Sequence, residues 1–414
     1  MINQFCNGIV QAERKGIAMT LEKMQAELGL QIVPDCFADF YKNISDSWEE
    51  HAKEILSDAY IRNILKENKI LTDYIDVILQ AAAETRENPA MCLLVCLLEQ
   101  WAKKGGIPEE GFQNPKGDGL AYDFYCLFAA IPTIPQTVAG LQKRGLPADV
   151  IADTLAEYDY CVQLCRNSLG RPAFNFGRLW WIQRIIHNQL VHIDRFKYDL
   201  PGQYSKGIRI YENAAGEQVV LADGMQLHRS GAMLGTAGLE DTEGSFTANI
   251  TETQTTVEGY PIADGFVQRE IIQLDKKDWK LLFAPTDNVL GIHIPPGGGF
   301  DPKTMDESFA RAKEIFRKCY PDYPFKAFHC RTWLLSPQLR TILKPDSNIL
   351  SFQNRFIRYP YRSNGTECIS FLFDILSGVP ENLNELPEKT SLQRAVKAIY
   401  LNGGCIHEGE GIFF

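Results

Sequence analysis

The stretch Leu290-Gly291-Ile292-His293-Ile294-Pro295-Pro296-Gly297-Gly298-Gly299 decides how this chain is read. An alternating apolar strand runs into a rigid Pro-Pro pair and then three glycines. Asp301-Pro302-Lys303-Thr304-Met305-Asp306-Glu307 follows as a helix start. Strand, glycine loop and helix N-terminus together can hold a phosphate. Residues without a Cβ let the backbone approach an anion, and the first helical turn leaves N–H groups pointing at it. The same pattern also describes an ordinary strand-to-helix connection.

Outward from that loop, the bulk properties narrow the class. The 414 residues suffice for two or three domains, and 45% apolar with 23% charged residues is ordinary for a globular protein. A net charge of −10 and a pI near 5.3 argue against a general binder of nucleic acid or anionic membrane. Met1-Ile2-Asn3-Gln4-Phe5 lacks the layout of a signal peptide, and the apolar run Met91 to Leu98 is too short to span a bilayer. These features predict a cytoplasmic protein.

Eleven cysteines, without a secretory signal, predict reduced thiols rather than a disulfide framework. Cys92 with Cys96, and Cys161 with Cys165, are spaced i, i+4, so each pair shares a helix face and two such helices could offer four thiolates to zinc. The apolar neighbours of Cys92 and Cys96 favour core packing, and no metal is expected. His187 and His192, five apart, face different ways on a helix.

The hydrophobic period changes once. From about Thr20 to Gln189 it is helical, with helices expected at Trp48–Leu56, Leu71–Ala83, Pro89–Lys103, Tyr122–Ala130, Val150–Cys165 and Phe176–Gln189. From about Leu190 it is two. Strands are expected at His192–Leu200, Phe246–Thr256, Val267–Leu274 and Lys326–Leu335. Three hairpins are expected: Gly207–Tyr211 with Gln218–Leu221, Trp279–Ala284 with Val289–Pro295, and Phe356–Tyr361 with Cys368–Phe373 around Asn364-Gly365. Met305–Tyr320 reads as an amphipathic helix opened by a Thr304/Glu307 capping box. Ser336-Pro337 opens a further helix, and Ser347–Phe356 is another. The expectation is an α+β protein. An all-helical N-terminal domain (1–190) precedes a mixed α/β domain (191–414) with a central, largely antiparallel sheet.

The order of strand hairpin, glycine loop, helix, strand, helix and hairpin resembles the GNAT acyltransferase superfamily. Val289-Leu290-Gly291-Ile292-His293-Ile294-Pro295, Ser308 with Arg311-Ala312, Cys330-Arg331-Thr332-Trp333-Leu334-Leu335-Ser336-Pro337 and Asp346-Ser347-Asn348-Ile349-Leu350-Ser351-Phe352-Gln353 resemble one bacterial family of acyltransferase domain-containing proteins. That family pairs a helical N-acyltransferase-type domain with a GNAT-like C-terminal domain. The resemblance covers most of the chain, with specific signatures across Asp287 to Phe356. It implies acetyl-CoA or a longer acyl-CoA as co-substrate, and implies no acceptor. The glycine loop departs from the superfamily's pattern, because its glycines are consecutive and no Arg or Gln opens it. Asp301, Asp306 and Glu307 would repel a diphosphate unless turned away, and Asp301 could be a plain N-cap. Lys303, Arg311 and Lys313 could offset them. The expected acyl-CoA contacts are Ile294, Pro296, Gly297, Gly298, Gly299, Lys303 and Arg311.

Acyl transfer from a thioester to an amine needs a base, a stabilised thioester oxygen and a proton for the departing thiolate. His293 is the leading base, on a strand and facing away from Leu290, Ile292 and Ile294. His329 and Cys330 adjoin each other on the next expected strand and point to opposite faces. Cys330 as a nucleophile would need a lowered pKa. Tyr359 or Tyr361 is the expected acid, and Glu243 and Glu252 are weaker bases. Trp333 is expected in the core. The acceptor would be a small-molecule amine or a peptide, with neither nucleic acid nor membrane as partner. The competing reading is a catalytically silent GNAT-like module that binds a ligand or a partner. It is favoured by the acidic loop and the absence of an obvious carboxylate base.

Overall fold

The computed structural model describes residues 19–414 except 111, 203, 298, 376 and 377. The chain forms two compact units. One comprises residues up to Thr137 with Ala156–His187, and the other comprises Val138–Leu155 with Asn188–Phe414.

The first unit is helical among the described residues. It contains α1 (Leu21–Glu27), α2 (Cys36–Ile44), α3 (Trp48–Ile55), α4 (Asp58–Asn68), α5 (Ile75–Arg86), α6 (Pro89–Lys104) and α7 (Leu120–Ala130). After α8 (Ile134–Lys143) and α9 (Ala148–Leu155), α10 (Glu157–Leu169) and α11 (Phe176–Ile186) complete it. Helix α6 starts where Asn88 accepts from Met91 N and Pro89 fills the first turn. Its Met91–Leu98 run is wholly buried. Cys92 Sγ donates to Thr85 O at 3.2 Å and Cys96 Sγ to Trp48 O at 3.7 Å, as small core residues do. Among the described residues no His/Cys/Asp/Glu group is arranged to hold a metal. The helical stretch Leu120–Lys143 is apolar and long enough to cross a membrane, but 67% of its window is buried inside the protein, as for a core helix. The single helix expected over Val150–Cys165 is two, α9 and α10, and they belong to different units.

The second unit holds β1 (Leu190–Ile193), β2 (Phe196–Asp199), β3 (Ile208–Asn213), β4 (Gln218–Ala222), β5 (Met225–Leu227), β6 (Phe246–Ala248), β7 (Thr251–Glu252) and β8 (Thr256–Ala263). Then come β9 (Phe266–Val267), β10 (Ile272–Asp275), β11 (Trp279–Phe283), β12 (Val289–His293), α12 (Pro302–Cys319) and β13 (Ala327–Thr332). Helix α13 (Asn348–Gln353), β14 (Ile357–Pro360), α14 (Glu367–Leu372), α15 (Ser391–Leu401) and β15 (Gly409–Phe413) follow. A six-stranded sheet runs β1-β2-β12-β13-β15-β14, antiparallel except for β12 with β13. A second sheet is built on β10-β8-β4-β3-β11.

Both faces of the six-stranded sheet are covered. The rings of Phe309 and Phe316 on α12 pack on Phe196, Tyr198, Phe328 and Phe413. On the other face Val289, Ala327, Tyr359 and Ile412 share a core with Ile208, Ile210, Val220 and Phe283 of the second sheet. Near-continuous apolar runs such as Val289-Leu290-Gly291-Ile292 are what strands with two buried faces require.

Several expectations change. His192–Leu200 is a hairpin, not one strand, because Asp194 turns with φ +52°. β11 and β12 do not pair and lie in different sheets. Cys368–Phe373 is helical, and β14 instead pairs with β15. The glycines of Gly409-Glu410-Gly411 had hidden that last strand. Asp301, not Thr304, caps α12 and accepts from Thr304 N at 2.9 Å. Ser336-Pro337 opens a 3-10 turn, and Trp333 is buried beside Cys368 and Ile369.

Candidate active site

The site lies where β12 and β13 part. These parallel strands pair at Val289↔Ala327, Leu290↔Phe328 and Gly291↔His329, and no further. Beyond that point Ile292 and His293 pair with β2, while Cys330 to Thr332 pair with β15. The ladder thus ends at the carboxyl ends of the two strands, where open α/β sheets take their ligands.

His293 stands at this end of β12, directly opposite Lys197 on β2. Gly291, two residues earlier on the same face, is opposite Asp199. His293 Nε2 lies 3.0 Å from Asp199 Oδ2, and the Asp199 side chain is mostly buried. Burial pushes the Cys330 thiol far up, and its Sγ donates to Ile292 O, so it is no thiolate nucleophile.

The glycine loop leaves β12 directly. Gly297 and Gly299 take φ +75° and +64°, and nothing stands where a Cβ on either would lie. Gly298 lies outside the described residues. The loop is held from beneath by Arg195, in the turn between β1 and β2. Its Nε donates to Gly299 O at 2.7 Å and its Nη1 to Pro295 O at 3.0 Å. The guanidinium also lies over the rings of Phe196 and Phe300. Burial lowers its pKa. Arg195 was not among the residues the sequence singled out. The only signal was a polar Asp194-Arg195 pair interrupting apolar alternation.

The charges at the start of α12 find partners. Asp306 binds Arg355 and Glu307 pairs with Lys303 at 3.8 Å. Asp301 occupies the Thr304 amide, so the first turn of α12 is not the open row of donors expected from the sequence. Arg311 is bound by Asp194 and Asp149 rather than turned to the loop. Ile294 packs at the border of the Trp333 core, and Pro296 is exposed.

The other expected residues separate. His329 is buried and its Nε2 lies 2.8 Å from Glu410 Oε1, which also accepts from Ser205 N. Tyr359 is sealed in the core beside Glu410, with burial holding its hydroxyl pKa well up. Tyr361 lies further out and accepts from Arg331 Nη1 at 3.0 Å. The charge of Arg331 is felt by two carboxylates that no sequence pattern marked, Glu367 and Glu408. Burial first, then the charge of Glu408, raise the Glu367 pKa to about 7. Burial raises that of Glu408 as well. Glu243 is exposed in an ion pair with Arg229, and Glu252 binds Lys276.

An antiparallel sheet whose one parallel pair stops short beside a histidine, followed by a glycine loop and a helix, is the arrangement of a GNAT-like fold. Residues 169–413 match the family described as the GNAT-like C-terminal domain, and residues 76–188 match the N-acyltransferase N-terminal domain. The first match alone spans more than half of the chain, and the chain belongs to this family of N-acyltransferase-type proteins with a GNAT-like C-terminal domain. No curated protein matches its sequence. Among solved structures, an acyltransferase in complex with decanoyl-CoA and teicoplanin superposes with a TM-score of 0.61 at 19% identity, covering 95% of this chain and 99% of that one. An acyltransferase in complex with CoA and 10C-teicoplanin gives the same values. One in complex with decanoyl-CoA gives 0.60 at 18% identity and the same coverage. At this identity the likeness is one of fold.

Proposed function

We propose that the protein is an acyl-CoA-dependent N-acyltransferase with His293 as its general base. The observation that carries this is the parting of β12 and β13 beside His293, immediately before a loop with two left-handed glycines. The acyl-pantetheine chain would enter between the two strands beyond their last pair, where its amides can bond to strand edges that have lost their ladder partners. The diphosphate would lie on the loop backbone around Gly297 and Gly299, above the Arg195 charge. The neutral imidazole takes a proton from the acceptor amine as its nitrogen attacks the thioester carbon. The C–N bond forms, the C–S bond breaks, and the imidazolium returns the proton to the CoA thiolate. Tyr361, whose hydroxyl accepts from Arg331 Nη1, would be a second donor for that thiolate. The acceptor is a small-molecule amine or a peptide amine, and the reaction takes place in the bacterial cytoplasm, where acyl-CoA is made.

Calorimetry with CoA and decanoyl-CoA, paired with thiol-release assays over a panel of amines, tests this. His293→Ala should bind CoA as the wild type does and transfer about 10²-fold more slowly, or worse. No CoA binding at millimolar ligand rejects the enzyme. CoA binding without turnover on any amine favours a silent binding module instead.

A further inference from the structure

We propose that Asp199 is the positioning residue for His293, and that position 291 is glycine in order to seat it. The proposal rests on the acyl-transfer reading above and assigns roles to two residues that reading leaves without one. Asp199 does not stand opposite His293 in the sheet. It stands opposite Gly291, and Lys197 stands opposite His293. Asp199 and His293 are therefore diagonal neighbours on one face, a separation that a short aspartate crosses only by lying flat along the sheet. The carboxylate lies so: Oδ2 is 3.0 Å from His293 Nε2, while Oδ1 is 1.9 Å from where a Cβ on residue 291 would be. Any side chain at 291 would occupy the carboxylate's place. Gly291 does not have the positive φ that would demand glycine on backbone grounds, so the space above it is the reason for glycine there.

A carboxylate in this place does two things for a catalytic imidazole. It selects one tautomer and ring orientation, and it offsets the charge that appears when the ring takes the amine proton. The facing groups include Lys197, opposite the ring, His329 across the pair from Gly291, itself engaged with Glu410, and Tyr323, whose hydroxyl donates to Val289 O and whose pKa the Asp199 charge helps to raise. No proton needs to move onto Asp199.

The test uses the full-length chain with Asp199→Asn and Gly291→Ala. Asp199→Asn, nearly isosteric, should lower kcat about 10- to 100-fold while leaving KM for the acyl donor within about twofold, because it acts through the base and not on binding. The ¹⁵N shifts of the His293 imidazole, read without substrate, should show a changed tautomer ratio. Gly291→Ala should lower kcat similarly and add little to Asp199→Asn in the double variant, since both break one pairing. Wild-type kcat in folded Asp199→Asn, or an unchanged tautomer ratio, overturns the proposal. Full additivity of the two changes also overturns it. If the wild type binds CoA but transfers nothing, the acyl-transfer reading fails, and the tautomer comparison still decides the pairing.

Discussion

Glu367 keeps its proton at a pH where most carboxylates have lost theirs. It sits at the first position of α14, with Oε2 accepting from Trp333 N at 3.0 Å, and burial plus the neighbouring Glu408 raise its pKa to about 7. An acid whose folded pKa lies above its unfolded one binds an extra proton in the folded state. The stability it contributes is full below its ordinary value of 4.5 and is lost as the pH rises through about 7. Urea melts should show wild-type stability falling across that window relative to Glu367→Gln, which keeps the acceptor for Trp333 but does not titrate. Parallel pH profiles would contradict this assignment. Nothing local in Thr366-Glu367-Cys368 distinguishes this glutamate from others in the sequence. Its environment comes from Arg331 and Glu408, far away along the chain.

The loop between β12 and α12 is tied to the β1–β2 hairpin by one side chain. Arg195 holds the carbonyls of Pro295 and Gly299 while lying over two phenylalanine rings. Arg195→Ala should weaken CoA binding by about tenfold, and Arg195→Lys should recover little, because a point charge cannot make both bonds and keep the ring contacts. Calorimetry on the two variants checks this, and full recovery in the lysine variant would refute the clamp. The loop, the strand before it and the helix after it were legible in the sequence, since Pro-Pro, consecutive glycines and Asp-Pro are strong local signals. The clamp was not. In the sequence Asp194 looks like one more strand residue, and only its left-handed turn brings Arg195 to the loop.

On the scale of the molecule, a helical pair from the middle of the first half belongs with the sheet. Val138–Leu155 is part of the second unit, where α9 packs on β1, Thr154 Oγ1 accepts from His192 N at 3.0 Å and Asp149 binds Arg311. A fragment covering only 191–414 should therefore melt at lower temperature and less cooperatively than the full chain, as followed by circular dichroism. A sharp, unshifted melt would show that α9 adds nothing. The sequence by itself determined the change from helical to strand periodicity near residue 190, the glycine loop and its following helix, and the place of His293 on the strand that leads into that loop. These depend on neighbours within a few residues, where steric and hydrogen-bonding preferences act. Only the tertiary structure decided that β12 and β13 part after Gly291, that Asp199 lies over that glycine to reach His293, and that His329 is an interior partner of Glu410 while Tyr359 is buried beside them. Those facts depend on strand register and on burial among residues as distant as 199 and 291 or 329 and 410. No local pattern encodes them, because register is set by how whole faces pack.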